Sequence, residues 1–110
     1  MVRGEGAAAG EPVSRSLILR PAAEDDVEAA YQWYEEQRPG LGGGFLRSVE
    51  AGLASIERNP ESHRQVYKHA RRALLRRFPY ALFYVSSAEL IEVIGCIHTS
   101  RHPRRWRSRL

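Results

Sequence analysis

At 110 residues the chain has room for one hydrophobic core, which argues against a second domain, and no apolar run approaches the roughly 20 residues that span a bilayer. A hydrophobic share of 43% with 27% charged residues is the balance of a folded globular protein, and the lone Cys96 excludes an internal disulfide and a thiolate metal cluster. The net charge of +4 is unevenly spread: residues 1–57 carry five basic against ten acidic side chains, residues 58–110 twelve against three. Such a basic half suits an anionic partner, nucleic acid or an acidic protein segment; the plainer alternative is that arginine keeps the surface soluble.

Residues 1–15, MVRGEGAAAGEPVSR, lack the apolar core of a secretory signal, so a loose N-terminal tail on an unexported, cytoplasmic chain is expected. SLILR (16–20), closed by Pro21, is long enough for one strand, expected to be buried in the sheet. Glu24, Asp25 and Asp26 then crowd the start of a helix, where carboxylates meet the positive end of the dipole. Val27, Ala30, Tyr31 and Tyr34 mark its apolar face, and Pro39-Gly40 stops it near Arg38. Tyr31, Trp33 and Tyr34 are expected to pack in the core, with stacking on a ligand the less common use of such a stripe.

A glycine run can cradle phosphate when it follows a strand and opens a helix. Gly42-Gly43-Gly44 follows a helix and lacks the Lys-Ser/Thr ending, so it predicts a turn. Phe45, Leu46, Val49, Leu53 and Ile56 then trace a second helical stripe, ended by Asn59-Pro60, giving an antiparallel helical hairpin.

The period then falls to two. Strands are predicted around Ala73–Arg77, over YALFYV (80–85) and over LIEVIGCIH (90–98), with Ser86-Ser87 as a turn. In the last strand Leu90, Glu92, Ile94, Cys96 and His98 would share one face and Ile91, Val93, Gly95 and Ile97 the other; with both largely apolar, the strand should lie inside the sheet. The order β-α-α-β-β-β predicts an α+β fold, a helical hairpin packed on one face of a small, mainly antiparallel sheet, over residues 16–100. Residues 101–110 form a basic tail without apolar periodicity, expected to be extended or a single turn held by Trp106.

WYEEQRPGLGGGFLRSVE (33–50), Asn59-Pro60, RRALLRRFPYALFYV (71–85) and CIHTSRHPRRW (96–106) together resemble the toxins of RelE/ParE-type type II toxin–antitoxin modules, closer to the ParE-like branch. The resemblance spans about residues 16–107 and implies the same α+β fold. It also implies a bacterial, cytoplasmic protein of plasmid-stabilisation type, neutralised by a co-encoded antitoxin in a hetero-oligomer. One branch of the family inhibits DNA gyrase by binding; the other cuts messenger RNA on the ribosome. A third outcome is a decayed toxin kept only as an antitoxin-binding module.

RNA cleavage needs a base, cations for the phosphorane and an acid for the leaving oxygen. His98 would be the acid or base and Arg72 and Arg77 the cations; the plainer reading makes His98 a hydrogen-bonded strand terminus. Ribosome-dependent relatives place a cation in the middle strand and often a tyrosine near the chain end, whereas here Tyr80–Tyr84 holds no arginine and Thr99 follows His98. Contacts to target or antitoxin fall to Arg71, Arg76, Tyr80, Arg101, Arg104, Arg105 and Trp106. Tyr80 and Tyr84 could stack on bases or pack across strands. Cys96 is expected to be a small buried hydrophobe. Asp25, Asp26 and Glu28 read as a helix start rather than a metal site, and no cofactor or metal is expected.

Overall fold

A computed structural model describes residues 15–110; the tail expected over residues 1–15 therefore lies outside the described residues except for Arg15. The chain runs β1 (Ser16–Leu19), α1 (Pro21–Gln37), α2 (Leu41–Arg58), β2 (Arg64–Tyr67), β3 (Ala70–Leu74), β4 (Tyr80–Ser86), β5 (Leu90–His98) and α3 (Arg104–Arg107). The strands form one sheet in the order β1-β5-β4-β3-β2, with β1 parallel to β5 and every other pairing antiparallel. The α+β architecture with two helices on a mainly antiparallel sheet is as expected. No helix among the described residues is long and apolar enough to cross a membrane.

Pro21 occupies the first turn of α1, where its missing N–H costs no helical bond. The joint to α2 corrects the sequence reading: Gly42, Gly43 and Gly44 are helical, and the turn is confined to Arg38–Gly40. Gly40, at φ 92°, supplies the left-handed residue. The Glu35 carboxylate accepts from the amides of Gly40 and Gly42, both at 3.0 Å, so α1 caps α2 with a side chain. A Cβ on Gly42 would stand 2.8 Å from the Tyr31 ring. The glycine is there for close helix approach.

Phe45, Val49 and Ile56 of α2 are buried against Leu82, Tyr84, Ile91, Val93 and Cys96 of the sheet, with Tyr31 and Tyr34 of α1 packed alongside. Trp33 departs from the expected core stripe and is 54% exposed. The Tyr84 hydroxyl donates to the Pro60 carbonyl at 2.5 Å, fixing the chain where it leaves α2. Tyr84 is therefore a core residue and offers no stacking surface.

Other departures concern the strands. β2 was not anticipated; it pairs with β3 through a tight turn in which Lys68 takes φ 51°. The third strand covers Ala70–Leu74 rather than Ala73–Arg77, so Arg76 and Arg77 fall in the following turn, Arg77 at φ 72°. β1 is an edge strand: Leu17 and Leu19 reach the core while Ile18 is 45% exposed. β5 is internal as expected, but a bulge reassigns its faces. Tyr84 stands opposite Val93 and Phe83 opposite Gly95, leaving Ile94 as the extra residue. Beyond it Cys96 joins the helix-side core, and Ile94 and Ile97 join Phe83, Ala81 and Trp106 on the other face.

Burial pushes the Cys96 thiol up to about 12 and the Tyr84 phenol up to about 12. A raised pKa stabilises the fold while the group is neutral in both states, and that contribution is lost as pH climbs from the unfolded to the folded value. The melting temperature should therefore hold steady from neutral pH to about 9 and fall between about 9 and 12. A melting temperature that stays level across that range, followed by circular dichroism, would rule out both groups as buried neutral acids.

Candidate functional site

β5 delivers His98 to the end of the sheet, opposite Tyr80 of β4, with the two rings 5.2 Å apart. There the chain turns back: Thr99 donates its amide to the Pro79 carbonyl at 2.8 Å and Arg101 its amide to the His98 carbonyl at 3.0 Å. Residues 101–110 then return over the sheet. Trp106 of α3 lies flat on Phe83, with centroids 4.4 Å apart and planes 15° apart, and is 6% exposed. Arg109 closes the return with a two-pronged ion pair to Asp26 (2.6 and 3.2 Å) and a bond to the Ile94 carbonyl.

This fold-back creates cavities on both sides of the strand end. One, of about 310 Å³, lies on the sheet face away from the helices and is lined by Arg64, Arg72, Phe83, His98, Arg101 and Trp106. Arg64 and Arg72 are directly opposed across β2 and β3, an arrangement of like charges that costs stability unless an anion sits nearby. A second, of about 510 Å³, opens on the α1 side between Trp33, Tyr34, Tyr80, His98 and Arg101. A smaller hollow of about 220 Å³ extends it to Asp26 and Arg105. His98 and Arg101 line the cavities on both sides.

Among the described residues the ion pairs are Arg15–Glu61, Arg20–Glu92 and Arg109–Asp26. Arg64, Arg72, Arg101, Arg104, Arg105 and Arg107 thus meet no carboxylate there, and the field around both cavities is positive.

His98 and Arg72 come together on the sheet-face cavity, whereas Arg77 lines neither cavity and lies over the Phe78 ring at 5.9 Å. Tyr80, Arg101 and Arg105 gather with His98 on the α1 side. Arg71 is occupied by the carbonyls of Glu61 and His63 at 3.2 and 2.8 Å. The Arg76 carbonyl accepts from the Ser48 hydroxyl at 2.7 Å and its side chain is exposed, as is that of Arg104. Two residues lining these cavities were not placed there by the sequence: Trp33, expected in the core with ligand stacking the rarer use, and Arg64, not singled out. The available signals were that Trp33 sits one place beyond the apolar face and that the basic run begins before Arg71.

The Ser100 amide donates to His98 Nδ1 at 3.1 Å. An amide only donates, so a neutral His98 carries its proton on Nε2 and offers a donor to its surroundings. Burial raises the Tyr80 phenol above its usual range, so it too is a neutral hydroxyl. His98 and His102 stand four residues apart, but each Nδ1 accepts from a nearby backbone amide, and no group of three potential ligands gathers among the described residues. The arrangement offers cations, hydrogen-bond donors and aromatic rings to a ligand.

Residues 17–103 match the family described as the ParE toxin of the type II toxin–antitoxin system parDE. Toxin ParE2 of Mycobacterium tuberculosis, in strains H37Rv and CDC 1551, is 26% identical over 92 residues, covering 83% of this chain and 88% of that protein. A solved chain of the chromosomal ParDE toxin–antitoxin system from P. aeruginosa shares the fold, with a TM-score of 0.71 at 16% identity, over 79% of this chain and 98% of that one. A match of this extent, on the architecture described above, places the chain in the ParE family of type II toxin–antitoxin toxins.

Proposed function

We propose that the chain inhibits DNA gyrase by binding and so blocks replication in the bacterial cytoplasm, and that a co-encoded antitoxin holds it inactive by covering its cationic surface. The observation that carries this reading is the match of residues 17–103 to the ParE family. The sequence at the strand end agrees with it: β4 carries no arginine and Thr99 follows His98. An acidic amphipathic segment laid over the exposed arginines would neutralise them.

A second reading, a ribosome-dependent messenger endonuclease, is favoured by one observation, the shared cavity of His98 and Arg72. Controlled expression in bacteria without antitoxin separates the two. Broken or under-supercoiled DNA with intact transcripts is the expected result, and His98→Ala should stay toxic with an unchanged melt. Cut transcripts, abolished by the same substitution, would overturn the gyrase reading.

A further inference from the structure

Trp33 stands at the mouth of the α1-side cavity. It is 54% exposed on α1, and its only aromatic neighbour among the described residues, Tyr34, meets it at 84° with centroids 5.1 Å apart. The rings do not stack, so the capacity of the indole to take a flat partner is unused among the described residues. The cavity of about 510 Å³ runs from Trp33 across Tyr34 and Tyr80 to His98 and Arg101, a volume in the range of small-ligand sites. His98 Nε2–H and the Tyr80 hydroxyl are donors along it, and Arg101 and Arg105 are cations without a carboxylate among the described residues.

We infer that this cleft binds single-stranded nucleic acid, with an unpaired base laid on the Trp33 indole and the adjoining phosphates held by Arg101 and Arg105. A nucleotide carries a ring and an anion in every unit, which is the combination the cleft displays. Arg101 also lines the cavity on the opposite side of the strand end, where Arg64 and Arg72 face each other across β2 and β3 and meet no carboxylate among the described residues. The cationic track therefore bends round the end of β5 from α1 to the far face of the sheet. A flexible single strand can follow such a bend. Duplex DNA, with a persistence length of about 150 base pairs, cannot follow it over so short a distance. An acidic protein segment would satisfy the charges but brings no ring at each step.

The inference goes beyond the gyrase reading and does not rest on it, since binding is read on the isolated full-length protein. A fluorescein-labelled oligothymidylate of about ten nucleotides, within the usual site size of single-strand binders, is titrated with the protein. A duplex of equal length, and an acidic tyrosine-containing peptide as competitor, form the other arms. The single strand should bind at least about tenfold tighter than the duplex. Trp33→Ala should weaken it about tenfold without altering the salt slope, and Trp33→Phe should restore most of the loss. Arg101→Ala should lower the salt slope by about 0.7, the value of one lost phosphate contact on a single strand. Because Trp33 is exposed, the melting temperature of its variants should be unchanged, which separates lost stacking from lost structure. Equal affinity for duplex and single strand, or indifference to Trp33→Ala, would overturn the inference. So would a failure of the oligonucleotide to bind where the peptide does, which would assign the cleft to a protein partner.

Discussion

Trp106→Ala should destabilise the fold by about 3–4 kcal/mol, the cost typical of removing a large buried aromatic side chain. Trp106 is 6% exposed, lies flat on Phe83 and shares its cluster with Ala81, Ile94 and Ile97. With α3 only four residues long, no helical cooperativity would hold this segment once the indole is gone. The far face of the sheet would open to water, and both cavities at the strand end would lose the fold-back that shapes them. For a chain of this size the melting temperature should fall by roughly 10–15 °C. Trp106→Phe keeps a ring for Phe83 and should cost about 1–2 kcal/mol. A near-wild-type melt for Trp106→Ala would mean that the indole is not the anchor of the C-terminal segment.

The helical hairpin was legible because two stripes, Val27–Tyr34 and Phe45–Ile56, keep the 3.6-residue period that a half-buried helix imposes, and both stripes do meet the sheet. The glycine run misled because propensity counts glycine as a breaker, while here the approach of Tyr31 to 2.8 Å of the Gly42 Cβ position leaves no room for a side chain. Tertiary contact outweighs local preference. β2 was invisible for a different reason: RQVY is four residues long, exposed at its first two positions and on the sheet edge, so it has no alternation to read. The bulge at Ile94 is equally silent, since a strand apolar on both faces gives the same pattern in either register.

Of the site, the arginine-rich return and the role of Trp106 as its holder were legible from composition and from a lone tryptophan in a polar stretch. What was not legible is which arginines stand free. Arg71, Arg101 and Arg109 look alike in the sequence, yet Arg71 is consumed by two carbonyls and Arg109 by Asp26, while Arg101 opens onto both cavities. Asp26 shows the same limit. As part of an acidic helix start it reads as a dipole partner, but its carboxylate reaches across to β5 and the chain end. Long-range pairings of 70 and 83 residues leave no periodic trace.

Asp26→Ala is expected to cost about 2–4 kcal/mol, more than an ion pair on the surface would account for. β1 ends at Leu19, and the Arg20 amide donating to the Val93 carbonyl at 2.9 Å is the last backbone bond on that side of β5. Past this point β5 still has a carbonyl at Ile94 and an amide at Cys96. Arg109 supplies the donor for the first at 2.9 Å, and Asp26 Oδ2 the acceptor for the second at 3.0 Å. The two side chains, 23% and 15% exposed, thus continue the ladder where the strand has stopped. Removing the carboxylate strands the Cys96 amide and leaves the Arg109 guanidinium without its counter-charge, held only by the Ile94 carbonyl. Arg109→Ala leaves Asp26 its amide donor but strands the Ile94 carbonyl, and should cost about the same, roughly 2–4 kcal/mol. The double variant should be more stable than the sum of the single losses by about 1–2 kcal/mol, as interacting neighbours require. Strict additivity in denaturant titrations would show that the pair merely stands at the strand edge; coupling of that size would show that the C-terminal segment is part of the sheet's own hydrogen bonding.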